Sequence, residues 1–156
     1  MTKIPGLLIT LAASALLGAC SGAEQPEQTV QQLMADDVQP TAEVYWNAVQ
    51  YISDESGSHE IVPQTDEDWE RVRQAAVQLG EYGKLLQTPA YTEGREENWT
   101  RFAEAMVEAS ARAEQAAANK DQDAVFEVGG TVYSVCSACH QAYPPQEGPG
   151  SEGSNT

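Results

Sequence analysis

Positive charge is what this chain has least of. Its 156 residues carry 8 Lys and Arg against 24 Asp and Glu, a formal net charge of −16 at pH 7. That balance makes nucleic acid and anionic lipid surfaces poor partners, because both are held by cationic side chains, and plain solubility is the usual reason for such a charge. A basic protein or a small uncharged ligand is compatible with it. Histidine occurs only 2 times and cysteine 3 times. No Ser-His-Asp set, paired-carboxylate pattern or phosphate loop can be assembled, so the chain reads as a non-enzyme. No segment shows strand-like alternation and no internal repeat is present. The apolar stretch 4–17 is too short to span a bilayer comfortably.

That stretch follows Lys3 and ends in Leu17-Gly18-Ala19-Cys20. A short positive region, an apolar run and small residues before a cysteine look like a bacterial lipobox signal. Cleavage is expected before Cys20, which then carries the lipid; an ordinary secretory peptide with a spare thiol is the alternative. Removing Lys3 takes the charge from −16 to −17. Residues 1–19 therefore read as a lipoprotein signal peptide and 20–28 as a flexible tether. Residues 29–143 read as one domain of ordinary size. Residues 144–156, rich in Gly, Pro, Ser and Glu, read as a disordered tail. Ser21 does not resemble the inner-membrane retention signal, which has Asp there. The expected location is the periplasm of a Gram-negative host, lipid-anchored in the outer membrane.

The decisive motif is Cys136-Ser137-Ala138-Cys139-His140. It has the form C-x-x-C-H, the attachment site of one covalent haem c. On a helix these positions stand at i, i+3 and i+4 and share a face. Two thiols can then meet the haem vinyl groups while the imidazole of His140 meets the iron. A structural or redox-active cysteine pair beside an incidental histidine is the plainer alternative. With Cys20 lipidated and Cys136 and Cys139 bonded to haem, no thiol remains for a disulfide.

Apolar residues between the flanks recur with helical period. The clearest helix begins at Thr65, where Thr65-x-x-Asp68 resembles a capping box. Its stripe is Trp69, Val72, Ala76, Leu79, Gly83 and Leu86, stopping before Pro89. A segment from Glu96 to Asn119, rich in the strong helix former alanine, carries Trp99, Phe102, Met106, Ala109 and Ala113. The last, from Asp121, carries Val125, Val128, Val132, Val135 and Cys139 and must stop at Pro144-Pro145. The first segment is less regular. Val30, Leu33, Met34 and Val38 share a face that Tyr45, Val49 and Ile52 continue, with Pro40 predicting a kink or two short helices. Residues 53–64 and 87–94 read as linkers. The fold class expected is all-α, an antiparallel four-helix bundle with the haem on its last helix.

A C-x-x-C-H motif near the C-terminus of such a bundle resembles the cytochrome c-prime class, the class II c-type cytochromes. The resemblance covers residues 29–143, and its specific part is Cys136-x-x-Cys139-His140-x-x-Tyr143. It implies that His140 is the proximal iron ligand, neutral and oriented through its other ring nitrogen. Low-spin members carry a methionine ligand on the first helix, where Met34 lies, which makes Met34 the candidate distal ligand. Met106 reads as core packing. Pro144 departs from the family, which often has Arg or Lys there; Arg71, Arg73, Lys84 or Arg101 are the residues that could replace that charge. His59, in an acidic linker, reads as solvated. Gly129-Gly130 inside a helix costs about 1 kcal/mol per glycine against alanine, which argues for close approach of another helix or the porphyrin edge, with a local kink as the alternative. Trp46, Trp69 and Trp99 read as core, one of them against the haem.

Three functions compete. The first is a periplasmic electron-transfer protein with His140 and Met34 as axial ligands, membrane-tethered through its lipid and steered toward a redox partner protein with a basic face. The second is a five-coordinate cytochrome c-prime that binds nitric oxide or carbon monoxide, with Met34 as packing. The third is a non-haem scaffold lipoprotein with paired cysteines. Family resemblance makes a homodimer the common state.

Overall fold

A computed structural model describes residues 26–145. The expected signal peptide, the expected lipidation residue Cys20 and most of the expected tether and tail lie outside the described residues. Five helices and one hairpin make up the described part, and helix predominates.

The first helix, α1, runs as Val30–Gln32, a π stretch Leu33–Val38 and then Gln39–Trp46. Thr29 caps it: its hydroxyl accepts from Gln32 N–H while the Gln32 side chain accepts from Thr29 N–H. Pro40 supplies no N–H and would crowd the carbonyl four residues back. The chain answers with a widened ladder just upstream, in which Gln39 N–H donates to the carbonyl of Met34, five residues earlier. The helical path thus continues past Pro40 instead of splitting in two.

Helical periodicity misleads after Trp46. Ile52 does not continue the helix but lies in β1 (Gln50–Asp54), which pairs antiparallel with β2 (Gly57–Ile61). The linker expected over 53–64 and the expected absence of strands are both corrected by this hairpin. Its tight end is made by Asp54, whose carboxylate accepts from Ser56 N–H at 2.8 Å, and by Gly57, whose φ of +123° suits glycine. Nearly every hairpin residue is exposed, so no apolar alternation marks these strands in the sequence.

Helix α2 (Asp66–Leu85) starts with the expected Thr65–Asp68 capping box. It buries Val72, Ala75, Ala76, Leu79 and Gly83. A short turn, α3 (Pro89–Thr92), interrupts the second expected linker. Helix α4 (Glu97–Ala118) buries Trp99, Met106, Ala109 and Ala113, and α5 (Gln122–Ala142) buries Val125, Gly129 and Val132. Asp121 caps α5 by accepting from Ala124 N–H at 3.0 Å.

Cross-contacts fix the directions. Gly83 lies against Ala103 and Val107 while Arg73 bonds Glu114, so α2 and α4 run antiparallel. Tyr143 packs on Trp99 at the start of α4, so α5 runs antiparallel to α4. Trp46 meets Gly129 near the end of α1, while Met34 and His140 share a cleft at the other end of that pair. The result is a helical bundle around a core of small and β-branched residues, with Leu33, Tyr45 and Leu79 at its centre. Among the described residues, no helix is long and apolar enough to cross a membrane.

Candidate cofactor site

The last two turns of α5 carry Cys136, Cys139 and His140 in continuous helix, so the three share a face as the spacing requires. That face opens on an apolar cleft. Met34, Val38 and Trp46 of α1 form one wall; Trp99, Phe102 and Met106 of α4 form another; Val135, Cys136, Cys139 and His140 complete it. About 660 Å³ of atom-free space lies within the cleft and its mouth, of which about 80 Å³ is wide enough for water. Of Cys136, Cys139 and His140, the histidine is the exposed one.

The two cysteines are half-buried, free thiols. Burial pushes the Cys136 thiol up from its ordinary pKa, and the neighbouring Cys139 adds to that; burial likewise raises Cys139. Among the described residues no group of three or more His, Cys, Asp or Glu is placed to hold a metal ion.

Two aromatic latches hold the cleft's walls. Tyr143 ends α5 with its hydroxyl on the side-chain oxygen of Asn98 and its ring edge-on to Trp99 at 5.1 Å. Trp99 in turn donates its indole N–H to the Leu86 carbonyl at 2.8 Å, tying the start of α4 to the end of α2. At the other end, the Trp46 indole N–H donates to the Gly129 carbonyl at 3.1 Å. The expected close approach at Gly129-Gly130 is thus divided. Gly129 meets Trp46 and Tyr45, whereas the space beside Gly130 is open.

Met34 does join the C-x-x-C-H residues, although about a hundred positions separate them in the chain. Met106 joins them too, beyond the packing role its periodicity indicates; its place one and two turns from Phe102 and Trp99 is the signal that it faces the same way. Trp46 and Trp99 line the cleft, while Trp69 packs half-buried elsewhere on the core. His59 is exposed on β2. None of Arg71, Arg73, Lys84 and Arg101 lines the cleft. Arg71 pairs with Asp68, Arg73 with Glu70 and Glu114 at 2.7 Å each, Lys84 with Glu81 at 2.7 Å and Arg101 with Glu97 at 2.6 Å. The cleft wall is apolar except for Gln39 and His140.

No protein-family model, curated protein or solved structure matches this chain.

Proposed function

We propose that this chain is a c-type cytochrome of the cytochrome c-prime class, carrying one covalent haem and transferring electrons in the periplasm. The observation that carries this reading is the meeting of Met34 with Cys136, Cys139 and His140 around one apolar cleft. The donor set suits that group: two thiols for thioether bonds, an imidazole one residue on, and a thioether from another helix. When bound, the haem supplies a one-electron iron couple. The chain's own residues do the rest. Cys136 and Cys139 would fix the group to α5, and His140 would hold the iron through a ring nitrogen. Met34 would offer a thioether sulfur to the same iron, which would favour the reduced state and raise the potential. Trp99, Phe102 and Val135 keep water away, lowering the local dielectric.

Cys20 anchors the mature protein through lipid, and its acidic surface favours a basic redox partner. No catalytic step is assigned. The visible spectrum of the matured protein, oxidised and reduced, with and without carbon monoxide, tests the reading. Sharp low-spin bands indifferent to carbon monoxide are expected. High-spin bands that shift with the gas would instead give a five-coordinate protein that binds nitric oxide or carbon monoxide. No haem bands, from a host able to mature c-type cytochromes, would overturn the assignment.

A further inference from the structure

Trp46 belongs to two hollows at once. One of its sides lines the cleft of the C-x-x-C-H motif, and another lines an open groove on the outside of the bundle. That groove, with about 460 Å³ wide enough for water, lies between the end of α1, the start of β1 and the middle of α5. Its floor includes Val49, Val125 and Gly129, and its rim is aromatic. Tyr133 is 62% exposed, Phe126 53% and Tyr51 47%. These rings are ordered in pairs: Trp46 meets Tyr133 edge-on at 6.0 Å, and Tyr51 meets Phe126 edge-on at 5.0 Å. Tyr51 is further pinned to α5 by its hydroxyl, which donates to Asp123 at 2.6 Å. Three large aromatic side chains held in place yet open to solvent form a patch of the kind that marks a protein contact.

Charge says what kind of contact. Beyond Lys3, every Lys and Arg of the chain falls between Arg71 and Lys120, on α2, α4 and the segments beside them. The elements around the groove carry Asp54, Glu60, Asp123 and Glu127 and not one lysine or arginine. The elements that carry the C-x-x-C-H motif and the aromatic groove, α1, the hairpin and α5, therefore have no lysine or arginine, while on the α4 wall of the cleft Arg95 stacks over Trp99 at 4.2 Å.

We infer that this groove is the docking surface for a one-electron redox protein whose contact face is an apolar patch ringed by Lys or Arg, with Trp46 and Tyr133 bridging it to the cleft. This inference rests on the haem reading above. The acidic residues on the surrounding elements steer the partner, and the aromatic rim supplies the desolvated contact. One electron passes between the two metal centres, one oxidised as the other is reduced, with no bond made or broken. Trp46 contributes a continuous aromatic wall from cleft to surface, so a partner seated on Tyr133 is joined to the cofactor by packed side chains instead of solvent.

The test uses the matured protein and a lysine-rich mitochondrial-type cytochrome c as the probe. Gly130→Gln fills the groove at a site with nothing within contact distance of a new Cβ, and Tyr133→Ser removes its most exposed ring. Each is expected to weaken binding of the probe by about fivefold or more and to slow electron exchange in proportion. Hexaammineruthenium, a small cation that needs no groove, should react with the variants as with the parent. Amide shifts on titration with the probe should concentrate in 49–52 and 123–133. Unchanged affinity for the probe in both variants, or shifts concentrated elsewhere, would overturn the docking surface while leaving the haem reading intact. Equal slowing toward both reagents would also overturn it, since the damage would then lie at the cofactor. Absence of haem bands in the parent would remove both.

Discussion

The indole N–H of Trp46 donates to the main-chain carbonyl of Gly129 at 3.1 Å, joining α1 to the middle of α5. Gly129 allows this approach, yet a Cβ built there would meet Trp46 Cδ1 at 3.5 Å and Tyr45 Cε1 at 3.6 Å, which is ordinary contact. The bond therefore matters more than the missing side chain. Trp46→Phe is expected to lose about 1 kcal/mol, the net worth of a part-buried hydrogen bond. Gly129→Ala is expected to be neutral or stabilising by up to about 1 kcal/mol, because helix propensity favours alanine. Urea unfolding followed by far-UV circular dichroism separates the two, and a large loss in Gly129→Ala would show that the helices cannot accommodate a methyl group.

Gly83 is the opposite case. A Cβ there would stand 2.8 Å from Val107 Cγ2, 3.1 Å from the Ala103 carbonyl oxygen and 3.2 Å from Val107 N. Two of those neighbours are backbone of α4 and cannot turn aside. Gly83→Ala should destabilise by about 1–3 kcal/mol through overpacking, outweighing its gain in helix propensity. A denaturation midpoint equal to the parent's would mean that α2 and α4 are free to slide apart.

Those two glycines show how much of the fold was open to reading in the sequence. Gly83 fell on the stripe of Val72, Ala76 and Leu79, so its burial was legible; its contact with α4 was not, because a stripe defines a face and not a partner. The Thr65–Asp68 box and the spacing of Val125 and Val132 were legible for the same local reason. The hairpin escaped because Tyr51, Ser53, Ser58 and Glu60 are all exposed, leaving no alternation, while Tyr45, Val49 and Ile52 happen to fall at helical spacing. Its hold on the bundle comes from Tyr51 on Asp123, a contact between residues far apart in the chain. At the site, C-x-x-C-H is local and was plain. Met34 was reached through family resemblance, and Met106 was placed on the right face without a sign of what that face looked into.

Ser110 is buried at 1% exposure, and its hydroxyl is the one buried side-chain polar atom lacking a hydrogen-bond partner among the described residues. Leaving such a group unsatisfied costs about 1–3 kcal/mol. Ser110→Ala removes the hydroxyl without enlarging the residue, and alanine is the better helix former. The variant should unfold at higher urea than the parent. A lower midpoint would mean that the hydroxyl is bonded, through an ordered water for example.

Acid should weaken the fold through α2. The Glu70 carboxylate accepts from Arg73 at 2.8 and 2.7 Å and from Gln74 at 2.7 Å, which holds its pKa down to about 2. Lys120 lowers Asp66, and the Thr65 cap lowers Asp68. A carboxylate with a folded pKa below its unfolded value of about 4.3 stabilises fully above that value and loses its effect as pH falls toward the folded one. Thermal midpoints of the parent should therefore drop between pH 4.5 and pH 2.5 more than those of Glu70→Gln. Because these groups are exposed, the difference should shrink in 1 M salt. Identical pH profiles for the two proteins would remove Glu70 from the explanation.

Two methionines line the cleft, and their burial predicts different fates on truncation. Met106 is 6% exposed in the core of α4, whereas Met34 is only partly buried, at the point where the π stretch widens α1. Removing a fully buried methionine side chain typically costs about 2–5 kcal/mol, so Met106→Ala should unfold far more easily while keeping a low-spin spectrum. If Met34 ligates the iron as proposed, Met34→Ala should cost less stability and turn the haem high-spin and reactive toward carbon monoxide. Visible spectra of the two variants at matched folded fraction decide between them. If Met106→Ala alone turned high-spin, the distal ligand would come from the third long helix and Met34 would be packing. If neither did, the axial position opposite His140 would be filled by something other than a thioether.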